Sequence, residues 1–116
     1  MFLESMADGN NIFLIAESAG RVGGYVNVWC VLDEATISNI AVDSSVRGNG
    51  LGESLMKAAL EAARERGAGA ATLEVRKSNS IAISLYNKLG FENVGVRPGY
   101  YEKPREDAII MWKYDL

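Results

Sequence analysis

The sequence predicts a single mixed α/β domain, and three observations support this fold class. β-Branched and aromatic residues concentrate in three successive runs before residue 43, with short turns between them. A segment with the helical spacing of apolar residues then separates the third run from a fourth, alternating run. A strand–helix–strand unit of this kind joins parallel strands. We therefore expect a mixed sheet that is antiparallel at its start and parallel in its centre.

Length and composition exclude several classes of protein. The chain has 116 residues, enough for one domain, and its 48% hydrophobic and 23% charged content is typical of globular proteins. The net charge of −3 argues against nucleic acid as a partner. The chain has no histidine, which excludes His-activated nucleophiles and His-metal sites, so no metal is expected. A single cysteine, no long apolar run and no signal peptide predict a cytoplasmic protein that does not enter a membrane.

The first part of the chain predicts a short helix and an antiparallel meander. Residues Met1 to Asn11 carry apolar residues at helical spacing, which indicates the last turns of a helix. Three β-rich runs follow, separated by turns. They are Asn11 to Glu17, Val22 to Leu32 and Ala35 to Asp43.

The second part predicts two helices and three more strands. An amphipathic helix runs from Leu51 to Arg66, and Gly67 ends it. The next strand, Ala70 to Arg76, alternates apolar and polar residues. The remaining predicted features are an N-cap at Asn79 or Ser80, a helix ending before Gly90, a short strand from Phe91 to Val96, a loop that carries Tyr100 and Tyr101, and a strand from Ala108 to Tyr114.

A glycine-rich stretch from Arg47 to Gly52 joins the third strand to the first helix. Its glycines allow the backbone to approach a ligand closely, and the helix that follows directs free N–H groups at it. A dinucleotide loop is excluded because Glu53 replaces the third glycine, and a Walker loop is excluded because its lysine is missing. The pattern [RQ]-x-x-G-x-[GA] does fit, at Arg47, Gly50 and Gly52. A turn that binds no ligand remains the alternative.

This pattern resembles the acetyl-CoA pyrophosphate loop of the GNAT superfamily of N-acetyltransferases. The resemblance extends through most of the chain. It includes Leu32 to Thr36, Asn39 to Asp43, Leu73 to Arg76, Ser78-Asn79, Ala82 to Tyr86 and Leu89 to Phe91. Gly99-Tyr100-Tyr101 with Arg105 to Met111 is similar to the bacterial subfamily that acetylates the N-terminal alanine of a small-subunit ribosomal protein.

The resemblance implies an acyl-CoA N-acyltransferase fold, in which a central sheet with splayed parallel strands is flanked by helices. It implies acetyl-CoA as co-substrate and a protein N-terminus as acceptor. Glu74 matches the general base and Tyr86 the residue that protonates the leaving thiolate, while Tyr100 and Tyr101 match the acceptor slot. The implied cofactor-binding residues are Ile40, Ala41, Val42, Arg47, Gly48, Asn49, Gly50, Leu51, Gly52, Glu53 and Asn79.

Each of these residues also has a structural interpretation. Periodicity alone places Glu74 on the polar face of a strand, and Tyr86 is at a position typical of a core aromatic. Asn79 is first a helix cap, and Tyr100 and Tyr101 can anchor a loop. Other functions also remain open: transfer to a lysine or a small amine, or a CoA-binding module that does not catalyse.

The beginning of the chain differs from the family pattern. The superfamily opens with a strand and two helices, whereas about ten residues precede the meander here, a shortfall of roughly 30 residues. The resemblance therefore implies an N-terminally shortened domain, either a truncation or a chain that starts at an internal methionine, in which one wall of the acceptor site is cut. Asn11 to Glu17 would then be an exposed edge strand, and we expect self-association or a homodimer through it.

Overall fold

The computed structural model describes residues 2–18, 20–42 and 50–116; residues 2–8 and 18 are described by their backbone alone. This part of the chain forms seven strands and two helices. The strands are β1 (Phe2–Asp8), β2 (Asn11–Ser18), β3 (Arg21–Val31), β4 (Glu34–Val42), β5 (Ala70–Arg76), β6 (Glu92–Glu102) and β7 (Arg105–Lys113). The helices are α1 (Leu51–Glu65) and α2 (Ser80–Lys88).

The strands form one mixed sheet in the order β1-β2-β3-β4-β5-β7-β6. The first four strands form an antiparallel series in chain order, β1 with β2, β2 with β3 and β3 with β4. Strands β4 and β5 pair parallel, and β7 pairs antiparallel with both β5 and β6. The predicted meander and the parallel centre of the sheet are confirmed. The parallel pair follows from α1, which carries the chain from the end of β4 back to the start of β5.

The hydrophobic core lies between α1 and one face of the sheet. Leu55, Met56 and Ala59 of α1 are fully buried against the sheet, and Tyr86 of α2 is buried in the same core. In β5 the predicted alternation is confirmed, since Leu73 and its alternate neighbours are buried while Glu74 and its alternate neighbours are half-buried. Apolar burial on this scale supplies most of the favourable free energy of folding.

The first residues form a strand, so the prediction of a helix there is wrong. A two-residue turn, Gly9-Asn10, reverses the chain, with Gly9 in the left-handed region at φ 57°. Strand β1 then pairs with β2 along its whole length, from Phe2 opposite Glu17 to Asp8 opposite Asn11. The pairing joins β1 to β2 by backbone hydrogen bonds, which outweigh a weak helical spacing.

The expectation that β2 has an exposed edge is also wrong. Strand β2 has a partner on both sides, and β1 is the outermost strand of the described sheet. Self-association through the N-terminal edge stays a prediction, with β1 as the strand that would pair.

Tyr100 and Tyr101 lie within β6, and the predicted loop around them is wrong. The register between β6 and β7 shifts between Arg97 and Tyr101, which accommodates Pro98 and Gly99 without ending the strand. Gly99 has φ 61°, and its N–H donates to Asp107 Oδ1 at 2.8 Å. The glycine and proline that indicate a turn are therefore absorbed in an irregularity of a longer strand.

A β-bulge interrupts β4 at Ser38. Asn39 pairs with Asn27 of β3, whereas Ile37 pairs with Val28, so Ser38 is the extra residue, and its Oγ donates to the Asn27 carbonyl at 3.2 Å. Registered pairing of β4 with β5 ends at the same point, with Ile37 opposite Leu73. The parallel strands thus pair over the first part of β4 and separate after the bulge, as the splayed arrangement predicted.

Candidate active site

A cavity of about 300 Å³ lies where β4 and β5 separate. Residues 37–40 of β4 form one side of it, and residues 73–76 of β5 form the other. Asn79, Tyr86 and Tyr101 complete the lining. The structure therefore brings both predicted catalytic residues, Glu74 and Tyr86, to one cavity, together with the predicted cofactor-binding residues Ile40 and Asn79.

Glu74 follows Leu73, the last residue of β5 that pairs with β4, so it lies where the two strands begin to separate. Its Oε1 is 3.3 Å from Nη2 of Arg97, while Oε2 is buried and has no hydrogen-bond partner among the described residues. The side chain is 28% exposed, less than expected for a solvated strand face. A carboxylate with a free, sheltered oxygen beside a cavity can accept a proton from a bound group.

Tyr86 is the buried residue of α2, and its ring packs edge-on against Phe91 with a centroid distance of 6.1 Å. Burial raises the pKa of the Tyr86 phenol, and the negative charge that Tyr101 would carry adds to the effect. A phenol whose pKa is raised stays protonated throughout the neutral range. Tyr86 can therefore donate a hydrogen bond into the cavity.

Asn79 is confirmed as the N-cap of α2. Its Oδ1 accepts a hydrogen bond from the Ala82 N–H at 3.2 Å. Because the cap uses the oxygen, the amide nitrogen of Asn79 can donate to another group at the cavity. The structural and the cofactor-binding interpretations of this residue are therefore compatible.

The end of β4 presents backbone toward the separated side of the sheet. Ile40 and Ala41 pair with Val26 and Tyr25 of β3, and no β5 residue pairs with them in the described sheet. A Cβ on Gly24 of β3 would lie 2.7 Å from the Ala41 carbonyl oxygen, so a larger residue at this position would displace the end of β4. An extended ligand could pair with Ile40 and Ala41 as an additional strand.

The predicted phosphate loop is described only at its end. Arg47, Gly48 and Asn49 lie outside the described residues. Gly50 precedes α1 with φ 73°, and a Cβ there would have no heavy atom of the described residues within 4 Å. The space next to Gly50 and the first N–H groups of α1 are thus suited to an anion. Leu51 is buried in the core, so its backbone alone could take part.

Glu53 links the two helices through its side chain. Its carboxylate is 3.1 Å from Nζ of Lys88 in α2 and 3.4 Å from Nζ of Lys57. The hydrogen bond with Lys88 is the largest cause that lowers the pKa of Glu53. A Cβ on Gly52 would meet only ordinary contacts, including Leu85 of α2 at 3.7 Å. For Gly52 and Glu53, a role toward a phosphate would therefore fall to the backbone.

Two arginine–tyrosine contacts lie beside the cavity. The guanidinium carbon of Arg76 is 4.3 Å from the Tyr101 ring centroid, and that of Arg97 is 5.2 Å from the Tyr100 centroid. The two tyrosine rings meet edge to face at 5.0 Å. Tyr101 lines the cavity, whereas Tyr100 is 48% exposed next to it. Burial raises the pKa of Tyr101, so this phenol also stays protonated at neutral pH.

The model of the acetyltransferase (GNAT) family matches residues 1–91. The chain belongs to this family. It is 44% identical over 100 residues to a protein from Bacillus subtilis strain 168 named putative [ribosomal protein bS18]-alanine N-acetyltransferase. The matching segment covers 86% of this chain and 66% of that protein. Over 94 residues it is 44% identical to the [ribosomal protein bS18]-alanine N-acetyltransferase of Escherichia coli K12, covering 79% of this chain and 64% of that one. The chain thus spans about two thirds of the length of these curated relatives.

Solved structures agree with the GNAT fold. The ribosomal-protein-S18-alanine N-acetyltransferase from Escherichia coli superimposes with a TM-score of 0.86 at 36% identity, covering 95% of this chain and 73% of that one. A putative streptothricin acetyltransferase from Bacillus anthracis, solved in complex with acetyl coenzyme A, gives a TM-score of 0.82 at 27% identity, covering 92% and 64%. The predicted fold class is confirmed.

The sequence does not single out some residues of this candidate site. Arg97, Arg76 and Ser38 were not singled out, because their places depend on the register between strands. The Gly99-Tyr100-Tyr101 stretch next to Arg97 was the available signal.

Within the described ranges, neither helix is long and apolar enough to cross a membrane. The same part of the chain holds no group of three or more Cys, Asp or Glu residues placed to bind a metal ion.

Proposed function

We propose that this chain is an acetyl-CoA-dependent N-acetyltransferase that transfers acetyl directly to the N-terminal α-amine of a protein. The observation that carries the proposal is the cavity between the separated strands, with Glu74 and Tyr86 both on its lining. Family membership and relatives that carry this activity in their names support it.

The cofactor would lie along the end of β4 and over the start of α1. Its pantetheine arm would pair with the backbone of residues 40–42, as an additional strand does. Its pyrophosphate would lie next to Gly50, where the first N–H groups of α1 and the positive end of the helix dipole favour an anion. Arg47, Gly48, Asn49, Leu51, Gly52 and Glu53 belong to the same proposed binding segment. Asn79 would donate to the acetyl end from the opposite side of the cavity.

Glu74 would act as the general base, through a water molecule or directly. The acceptor nitrogen attacks the thioester carbonyl carbon, the carbon–sulfur bond breaks, and a proton leaves the nitrogen. A backbone N–H at the end of β4 can stabilise the oxyanion. An α-amine has a pKa of about 8 and a lysine of about 10.4, so the α-amine loses its proton far more readily at neutral pH. This difference favours N-termini as acceptors.

Tyr86 would stabilise the departing thiolate by donating a hydrogen bond. Its pKa is raised by burial, and a thiol ordinarily has a pKa of about 8.5, so full transfer of the phenolic proton to the thiolate is unfavourable. The phenol therefore shares its proton in the transition state, and the thiolate takes its final proton from solvent at a pH below its pKa.

The acceptor we propose is the N-terminal alanine of a small-subunit ribosomal protein, with Tyr100 and Tyr101 at the entrance for the peptide. The names of the relatives support this choice, because both specify alanine and ribosomal protein bS18. Such an acceptor would place the enzyme in the cytoplasm. A small amine is the second candidate, since the structural relatives include a putative streptothricin acetyltransferase.

The test is acetyl transfer from acetyl-CoA to three acceptors, followed by mass spectrometry. One acceptor is a peptide that starts with alanine, the second has a blocked N-terminus and an internal lysine, and the third is a small polyamine. We expect a mass gain of one acetyl group on the first. Transfer only to the second or third would replace the proposed acceptor, and CoA binding without any transfer would indicate a binding module.

A further inference from the structure

We propose that Arg97 is a positioning residue for Glu74: its guanidinium holds the carboxylate in place at the cavity while the acceptor loses its proton. This inference rests on the proposed function, because it concerns how the candidate base is oriented. Neither the resemblance nor the names of the relatives assign a role to Arg97. The contact that motivates it is the 3.3 Å distance between Arg97 Nη2 and Glu74 Oε1.

Arg97 reaches Glu74 across an intervening strand. Glu74 is on β5 and Arg97 is on β6, with β7 between them, so their backbones lie about 10 Å apart. On β7, Ala108 pairs with Arg97, and Gly95 of β6 lies opposite Ile110, the partner of Glu74. The small side chain of Ala108, opposite Arg97, leaves room above β7 for the long stem of an arginine.

The contact orients the carboxylate rather than stabilising the fold. The Arg97 side chain is 54% exposed, and ion pairs at such exposure contribute little to stability. Its second contact is the Tyr100 ring at 5.2 Å, which restricts the guanidinium further. A glutamate has three rotatable side-chain bonds and samples many orientations when nothing holds it.

The two oxygens of Glu74 have different surroundings. Oε1 faces Arg97, and Oε2 is buried without a hydrogen-bond partner among the described residues. A buried carboxylate oxygen without a partner is unfavourable, so the side chain would turn toward solvent if nothing retained it. Arg97 is the charged contact that retains it here. Misplacing a reacting group by about 1 Å can lower a rate by about 100-fold, which makes this orientation relevant to catalysis.

Arg76 provides a matched control on the same face of the sheet. Like Arg97 it pairs with a carboxylate at 3.3 Å, that of Glu106, and lies against a tyrosine ring. In addition, its Nη1 donates to the Pro104 carbonyl at 3.0 Å, and Glu106 accepts from the Ser78 N–H. Arg76 therefore fastens the β6–β7 connection to β5 through a carboxylate other than Glu74.

The experiment is a double-mutant cycle on the alanine-starting peptide at saturating acetyl-CoA. The variants are Arg97→Gln, Glu74→Gln, the double variant and Arg97→Lys, with Arg76→Gln as control in both backgrounds. We expect Arg97→Gln to lower kcat by about 10-fold, which is a typical size for the coupling between two residues in direct contact, with little change in KM. In the Glu74→Gln background the same change should have no further effect. Arg97→Lys should recover part of kcat. Arg76→Gln should lower the melting temperature, and it should change kcat by the same factor whether residue 74 is glutamate or glutamine.

The possible outcomes separate the two proposals. No transfer by the unmodified chain would overturn the proposed function, and the role of Arg97 with it. Normal transfer with an unchanged kcat in Arg97→Gln would overturn the role of Arg97 alone. A raised KM, or a loss that persists fully without Glu74, would show that Arg97 contacts the acceptor directly and is not a positioning residue. Calorimetry with CoA should give the same affinity for every Arg97 variant, and a loss of CoA affinity would also contradict the proposal.

Discussion

The two halves of the β4–β5 pair differ in what holds them. Before the bulge, residues 34–37 of β4 pair with residues 70–73 of β5. Most apolar residues of these two segments are buried, among them Ile37 and Leu73. After the bulge, the strands separate and polar side chains line the space between them. The same two strands therefore stabilise the fold in one half and line the candidate site in the other. A substitution should change stability in the first half and rate or binding in the second.

The largest expected effect is at Glu74, in the separated half. Glu74→Gln keeps the size of the side chain and removes the base, so we expect kcat to fall by roughly 10²–10⁴-fold near neutral pH. The loss should shrink at high pH, where the acceptor amine is already deprotonated. A pH–rate profile on the alanine-starting peptide measures both effects. A rate equal to that of the unmodified chain near neutral pH would make Glu74 an ordinary strand residue.

The next effect is at Gly50, where the separated half leads into α1. Gly50→Glu would place a negative charge where the pyrophosphate is proposed to lie, and like charges in contact cost several kcal/mol, so CoA affinity should fall by at least about 100-fold. The left-handed φ of 73° also strains most other residues, with asparagine and aspartate the usual exceptions. Gly50→Asn is the control, because asparagine tolerates this conformation without adding charge. Calorimetry in which both variants bind CoA like the unmodified chain would make this segment only a turn.

Tyr86 should have a smaller effect on the rate. Tyr86→Phe removes one hydrogen bond to the leaving thiolate, and we expect kcat to fall by about 10- to 100-fold at every pH, without the recovery expected of Glu74→Gln. Recovery at high pH would contradict the assigned role.

The same residue gives a stability prediction. Because the folded-state pKa of Tyr86 is raised, its contribution to stability is complete below the unfolded value of about 10 and is lost as the pH rises through the folded value. Alkaline unfolding followed by circular dichroism should therefore shift to higher pH in Tyr86→Phe.

The smallest effect on activity is expected at Thr72, two residues before Glu74 in the paired half. Its Oγ1 donates to the Met111 carbonyl at 2.9 Å between β5 and β7. Thr72→Val keeps the shape of the side chain and removes this bond, so the free energy of unfolding should fall by about 1 kcal/mol with kcat within about twofold of normal. Urea unfolding and a rate measurement check this pair of outcomes. A large loss of rate would mean that the two halves are not separate in function.

Local patterns predicted the elements whose residues repeat regularly. Both helices and the alternation of β5 follow from the spacing of apolar residues, and the cap at Asn79 follows from its side chain. The N-terminal strand was missed because its pairing with β2 overrides the helical spacing of a few residues. Proline and glycine indicate turns and so predict a loop at Tyr100 and Tyr101, whereas an irregular strand contains these residues.

The candidate site was predictable only in part. The glycine pattern, Glu74, Asn79 and Tyr86 carry the family resemblance in their own sequence positions. The contact of Arg97 with Glu74 depends on two strands that are joined to β5 through α2, and no local pattern encodes such a pairing. Nothing in the residues around Ser38 distinguishes a bulge from a regular strand before the register with β3 is known.

The bulge at Ser38 changes which sequence positions of β4 face the core. Before it, Ala35 and Ile37 face the core at odd-numbered positions, and after it the residues packed on the core are Ile40 and Val42, at even-numbered ones. In a regular strand that kept Ser38 but had no bulge, the two sets would exchange, so Asn39 and Ala41 would point inward and Ile40 outward. Within β4, the bulge therefore keeps Ile40 and Val42 on the core face, and deleting Ser38 would remove the bulge while leaving the later side chains on their present faces.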